Sequence, residues 1–407
     1  MTVSFRPSTL AGFLAILICV LTAWVIQRFR KPATDTANRL ESIDGLRGFL
    51  ALGVFVGHFV GIFYFVRTGR WGGLDFQFYA RVGAIGVALF FMVTGFLFWS
   101  RLFAKKGRLD WTSLYISRVF RIVPLYWFMV AALTAIVFWV SDFVLKSPMK
   151  ALVEQILIWL SFADYPNINK FSGTVGVVAG VVWTLKYEWL FYLTLPVQAL
   201  FVRFSEKSPL PLLALAAATI GFSIWPVYIP YLQVSTTYFV YFLGGAIAAW
   251  FYTSGRCREL AKNNWITLLA LVSLFLAFAL YQNDFEPSQA LFLALFFIPI
   301  AMGNSIFKIL SVPAVMLLGE ISYSVYLLHG MVIFVAFFML LPNLMAAITT
   351  PFQLYAAMDL TGVAVVSLCW GTYSLVERPF IHFGKRLSNL VRRPSQKDKP
   401  FQATPAA

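Results

Sequence analysis

Glu41-Ser-Ile-Asp-Gly-Leu-Arg-Gly-Phe-Leu-Ala-Leu-Gly-Val-Phe-Val-Gly-His-Phe59 decides how this chain is read. The stretch starts polar and then runs apolar to Val66, with Arg47 at its edge and His58 within it. Eleven positions separate the two, close to three helical turns, so they share a face and lie roughly 16 Å apart along the axis. In a membrane-spanning helix Arg47 lies at one surface and His58 about halfway across a core of roughly 30 Å. Asp44 precedes Arg47 by one turn and can pair with it. An imidazole at mid-membrane is costly and points to function by default. The plainer alternative is a histidine bonded to a neighbouring helix.

Hydrophobic residues make up 60% of the 407 positions and charged residues 12%. Soluble domains carry roughly a quarter charged residues, so the composition predicts a polytopic membrane protein. Apolar segments run almost end to end, which predicts one membrane domain. Cys19, Cys257 and Cys369 fall in or beside separate apolar segments, so neither a disulfide framework nor a metal site is expected.

Residues 10–27 form an apolar run closed by Arg28, Arg30 and Lys31. A cleaved signal peptide carries its charge before the apolar stretch, so a retained N-terminal span is expected. With its linker it makes a first unit, 1–40. Further apolar segments lie at 46–66, 82–100, 122–140, 181–202, 209–226, 234–252, 264–281, 289–306, 314–341 and 354–376. The expected fold is all-α, a transmembrane bundle with about ten core spans (domain 41–384) and one extra N-terminal span. Residues 151–163 are apolar but short and carry Glu154, which reads as a re-entrant or interfacial helix.

With odd-numbered spans exiting to the cytoplasm, 24 of the 32 lysines and arginines fall on that side and 7 on the other, Lys186 lying inside a span. This asymmetry predicts a cytoplasmic C-terminus and explains the net charge of +15 without nucleic acid. Residues 385–407, basic and rich in Pro, Ser and Gln, read as a disordered tail. No internal repeat is evident, which weighs against transporters built from duplicated halves.

Four more stretches carry polar groups in apolar surroundings. In Ser117-Arg-Val-Phe-Arg-Ile-Val-Pro-Leu-Tyr126, Arg118 and Arg121 sit one turn apart at the entry to a span. Two guanidiniums there can hold phosphate oxygens bidentately, or simply flank the span. In Val182-Trp-Thr-Leu-Lys-Tyr-Glu-Trp-Leu-Phe-Tyr-Leu-Thr-Leu-Pro196, Glu188 is a carboxylate in an aromatic helix, with Lys186 turned elsewhere. In Gly319-Glu-Ile-Ser-Tyr-Ser-Val-Tyr-Leu-Leu-His-Gly330, Ser322, Tyr326 and His329 share a face, as a working stripe or as interhelical glue. Val376-Glu-Arg-Pro-Phe380 reads as a helix stop in which Glu377 and Arg378 pair locally. Asp359 is a weaker candidate for acceptor binding, and His382 reads as a surface residue.

Asp44-Gly-Leu-Arg-Gly48, ten further residues and His58 resemble the opening signature of the acyltransferase 3 family of integral-membrane enzymes. The Arg118-x-x-Arg121 element with its following proline, Trp183-x-Leu185-x-x-Glu188, Gly319-x-x-Ser322-Tyr323-x-x-Tyr326-Leu327-x-His329 and Glu377-Arg378-Pro379 match that family in order. The resemblance also implies ten spans. It implies acyl transfer, often of acetyl, to carbohydrates and other acceptors, and a home in the bacterial inner membrane. Acyl-CoA is then the donor substrate, with no permanently bound cofactor. The partners expected are a glycan or lipid-linked carbohydrate acceptor and membrane lipid.

On this reading His58, Glu188 and His329 are catalytic. Asp44, Arg47, Arg118, Arg121, Trp183, Ser322, Tyr323 and Tyr326 serve binding, with Arg47, Arg118 and Arg121 forming a basic mouth for the phosphates of coenzyme A. His58 acts as general base or as transient acyl carrier. Glu188 orients a histidine, bonds an acceptor sugar, or braces Arg47 or Arg121. The rival reading is a proton-coupled transporter or flippase that uses His58, Glu188 and His329 as a relay.

Overall fold

The computed structural model describes residues 7–29, 40–69, 77–230, 233–255, 258–281 and 285–391. The longer helices are α1 (Thr9–Arg28), α2 (Glu41–Thr68), α3 (Gln77–Ala104), α4 (Trp111–Val140) and α5 (Met149–Leu160), then α6 (Trp183–Phe204), α7 (Leu210–Ile224) and α8 (Phe239–Ser254). They continue with α9 (Asn264–Ala279), α10 (Gln289–Ala301), α11 (Pro313–Glu320), α12 (Ser322–Phe334), α13 (Pro351–Thr372) and α14 (Arg378–Val391). Among the described residues the only sheet is a two-residue antiparallel pair, Tyr228–Ile229 with Val234–Ser235.

The predicted apolar segments are helical over most of their length. Among the described residues six helices are long and apolar enough to cross a membrane. Helices α7, α9 and α10 have 15, 16 and 13 residues, roughly 20–24 Å at 1.5 Å per residue, shorter than a core of roughly 30 Å. Large apolar side chains such as Leu268, Leu269, Val272 and Phe275 of α9 point outward. An outward-facing apolar surface of this kind suits lipid rather than water. The chain is a multi-pass membrane protein. Helix α5 has 12 residues, too short to span, as its sequence suggested.

Small residues set the closest helix contacts. On α1, Ala11, Ala15, Cys19 and Ala23 recur every fourth position and are the buried face, while Leu10, Phe13, Leu17 and Trp24 point out. That stripe lets α1 lie close along its neighbours. Between α2 and α11 the backbones nearly touch: a Cβ on Gly319 would sit 1.9 Å from the carbonyl oxygen of Asp44, and one on Gly45 2.0 Å from that of Leu310. The glycines of the Asp44–Gly48 signature are therefore packing residues that bring Arg47 against the start of α12.

Three sequence expectations change. The predicted span 314–341 is broken at Ile321 into α11 and α12 and ends in a π-helical turn, Val335–Leu340. Residues 385–391, expected to be disordered, belong to α14, and 392–407 lie outside the described residues. Helix α14 packs through small residues: a Cβ on Gly384 would meet Phe120 Cβ at 2.5 Å, and Ser388 bonds Ser113. The basic, polar composition of 385–407 taken as a whole masks the helical spacing of Phe380, Phe383, Leu387 and Leu390. Glu377 does not pair locally with Arg378: its carboxylate is fully buried and bonds Arg121, while Arg378 is exposed. His382 is exposed, as expected.

Irregular backbone is also built into the bundle. Val177, Val178, Val181 and Val182, between α5 and α6, are buried, and a Cβ on Gly330 of α12 would meet the Val178 carbonyl carbon at 2.5 Å. Such backbone survives at depth when it is enclosed by protein. It packs beside His329.

Candidate active site

A cavity of about 460 Å³ lies among α2, α3, α4, α6, α12 and α14, within the usual range for small-molecule sites. Asp44, Arg47, Arg118, Arg121, Glu188, Ser322, Tyr323 and Tyr326 all line it. Four distant stretches of sequence thus converge on one space. Its lining holds five basic side chains (Arg47, Arg101, Arg118, Arg121, Lys385) and three acidic ones (Asp44, Glu188, Glu320), a balance that favours an anionic ligand.

The guanidiniums are held in place. Arg47 donates to Ser322 Oγ at 2.9 Å and pairs with Asp44 at 3.4 Å. Arg121 pairs with Glu377 at 3.1 Å, and Ser324 Oγ donates to the other carboxylate oxygen at 2.9 Å. A buried carboxylate needs such partners to remain charged. Arg118 lies over the Phe98 ring at 5.3 Å. Tyr323 donates to the Ile122 carbonyl at 2.9 Å, tying α12 to α4. Glu188 accepts from Tyr192, one turn along α6.

At the inner end Tyr326 contacts Thr184 Oγ1 at 2.9 Å and packs edge-on to Phe90. His329 follows three residues later, roughly 4.5 Å of helical rise. It is fully buried, and its Nε2 lies 2.9 Å from Nδ1 of His58. The two rings stack, 13° from parallel. His329 Nδ1 lies 2.9 Å from the Val325 carbonyl oxygen. A carbonyl only accepts, so in a neutral pair His329 Nδ1 carries the proton and its Nε2 is the acceptor. In that arrangement His58 Nδ1 is the donor.

His58 and His329 lie beyond the cavity lining, on its Tyr326 side, and Trp183 stands apart on another face of α6. It packs with Tyr187, Tyr238 and Phe285 and is not among the cavity-lining residues. Five residues along a helix turn the side chain about 140° away from Glu188, whereas Thr184 and Leu185 share the cavity face. Asp359 is also outside the cavity lining.

The sequence reading passed over Arg101, Thr184, Tyr192, Glu320 and Lys385, all cavity-lining. Thr184 and Tyr192 were legible as the turns before and after Glu188. Lys385 was not, because it was assigned to a tail.

A basic cavity one helical turn from a hydrogen-bonded histidine pair, enclosed by a polytopic helical bundle, is the setting of a membrane-embedded enzyme. The chain belongs to the acyltransferase 3 family, whose sequence model, described as an acyltransferase domain, matches residues 40–374. Helices α1 and α14 lie outside that match. The chain is 27% identical over 315 residues to the exopolysaccharide production protein ExoZ of Rhizobium meliloti (strain 1021), covering 75% of this chain and 91% of that protein. It is 30% identical to the acyltransferase MdmB of Streptomyces mycarofaciens over 46% of this chain and 45% of that one. It is 23% identical to the O-acetyltransferase OatA of Staphylococcus aureus (strain NCTC 8325), over 71% of this chain and 50% of that protein. No solved structure matches the chain.

Proposed function

We propose that the protein transfers an acyl group, acetyl first among them, from cytoplasmic acyl-CoA to a hydroxyl of a cell-envelope carbohydrate. The observation that carries this is the hydrogen-bonded His58–His329 pair one helical turn beyond a basic cavity. Relatives named for exopolysaccharide production and O-acetyl transfer support a carbohydrate acceptor. Arg47, Arg118 and Arg121 bind the donor diphosphate. The cavity end of the bundle, where the basic loops gather, faces the cytoplasm of a bacterial inner membrane.

His58 Nε2 takes the proton from the acceptor hydroxyl as its oxygen attacks the thioester carbonyl. The C–S bond breaks, and the thiolate recovers the proton from His58 and leaves as free CoA. Glu188, bonded to Tyr192, orients the acceptor or donor within the cavity. Asp44 and Ser322 hold Arg47, Tyr323 and Tyr326 shape the wall, and His329 fixes His58.

The test uses purified protein in lipid, labelled acetyl-CoA and a surface-glycan extract, with wild type beside His58→Ala. Release of CoA with label on the glycan, lost in the variant, is the expected result. Label retained on the protein without acceptor would make His58 an acyl carrier instead. Proton-driven flux with no acyl-CoA consumed would overturn the proposal in favour of transport.

A further inference from the structure

A second polar pocket, about 320 Å³, adjoins the cavity and shares Arg101, Ser117 and Lys385 with it. It is further lined by Ser113, Ser388 and Asn389. Its acid, Asp110, is engaged as the cap of α4, accepting from the Ser113 amide at 3.1 Å. Arg101 and Lys385 are both exposed, so the pocket opens to solvent. Lys385 is placed by α14, which is pinned to α4 where Gly384 meets Phe120 and Ser388 meets Ser113. The family match ends at residue 374. A wall of this pocket is therefore supplied by a helix beyond the matched residues.

We propose that Arg101 and Lys385 bind a phosphate monoester, the 3′-phosphate at the nucleotide end of the acyl-CoA donor. The inference rests on the donor reading above. Length supports the order of the groups. The pantetheine arm is comparable to about five extended residues, ~16–18 Å. Arg47 and His58 are separated by roughly 16 Å of helix. With the thioester at His58, the diphosphate falls among Arg47, Arg118 and Arg121. The ribose phosphate then projects outward, toward the pocket where Arg101 and Lys385 stand. Separate cations for separate phosphates give charge-assisted bonds at both ends of the nucleotide.

The same chemistry is offered by phosphate headgroups of anionic lipid, so the test separates the two. Binding of CoA and dephospho-CoA is measured on the full chain in zwitterionic and in anionic nanodiscs, for wild type, Arg101→Gln, Lys385→Gln and Lys385→Arg. Wild type is expected to prefer CoA by roughly tenfold, the scale of one charged hydrogen bond at a partly wet site. Either Gln variant should lose that preference, lowering affinity for CoA well beyond any change for dephospho-CoA, and Lys385→Arg should keep it.

Equal binding of CoA and dephospho-CoA by wild type overturns the subsite while leaving the donor reading intact. Gln variants that weaken both ligands alike, or neither, also overturn it. A variant effect confined to anionic nanodiscs assigns the pocket to lipid. Failure of wild type to bind either nucleotide overturns the subsite and the donor reading together.

Discussion

Replacing His329 by Ala probes the order of the two histidines. His329 is fully buried, and its Nε2 accepts from His58 Nδ1 at 2.9 Å. The substitution removes that acceptor from a buried N–H, a loss of about 1–3 kcal/mol. It also frees His58 to take the other tautomer, with its proton on Nε2 and no base aimed at the acceptor. At 1.36 kcal/mol per decade, turnover should fall roughly 10- to 100-fold. His58→Ala removes the base itself, where general bases contribute about 10²–10⁴. Single-turnover transfer of labelled acetyl-CoA at saturating acceptor gives the rates, and donor titration should show unchanged affinity because the cavity arginines are untouched. His329→Gln, whose side-chain oxygen can accept the same proton, should recover part of the rate. A loss in His329→Ala equal to that in His58→Ala, not relieved by Gln, would refute the reasoning and make His329 the proton carrier.

Arg121→Met should lower stability by about 3–5 kcal/mol, because it strands the Glu377 carboxylate, whose side chain is 0% exposed. Adding Glu377→Leu should restore the thermal midpoint in lipid without restoring donor affinity, and recovery of both would show Arg121 to be structural alone. Gly319→Ala forces a Cβ to within 1.9 Å of the Asp44 carbonyl oxygen and should cost at least about 1–3 kcal/mol and weaken donor binding by displacing Arg47. Gly371→Ala, with nothing within 4 Å of its added Cβ, is the matched control and should change neither. Trp183→Phe should leave the KM for donor unchanged, since Trp183 sits in an aromatic cluster and not in the cavity wall; a raised KM would return it to the donor path.

The sequence by itself determined the class of fold and most of the site's membership. Apolar segments marked every main helix but α14, since lipid demands long apolar stretches whose backbone is satisfied internally. Ordered polar residues inside those segments marked Arg47, His58, Arg118, Arg121, Glu188 and His329, because such residues are rare and costly there. Periodicity also placed Ser322, Tyr326 and His329 on one face, and the structure turns that face onto Arg47, Thr184 and His58 in succession.

Only the tertiary structure decided who meets whom. Positions 58 and 329 are 271 residues apart, and no spacing rule pairs them. Glu377 looked like a local helix stop, yet the fold buries it and hands it to Arg121, a contact that depends on how α4 packs against the turn between α13 and α14. Helix α14 escaped notice because the basic, Pro-, Ser- and Gln-rich composition of 385–407 reads as a tail when taken whole, although Phe380, Phe383, Leu387 and Leu390 recur at helical spacing. Trp183 shared a motif with Glu188 but not a helix face. Periodicity along one helix fixes which side chains share a face, while the approach of backbones at Gly45, Gly319 and Gly384 fixes what each face touches.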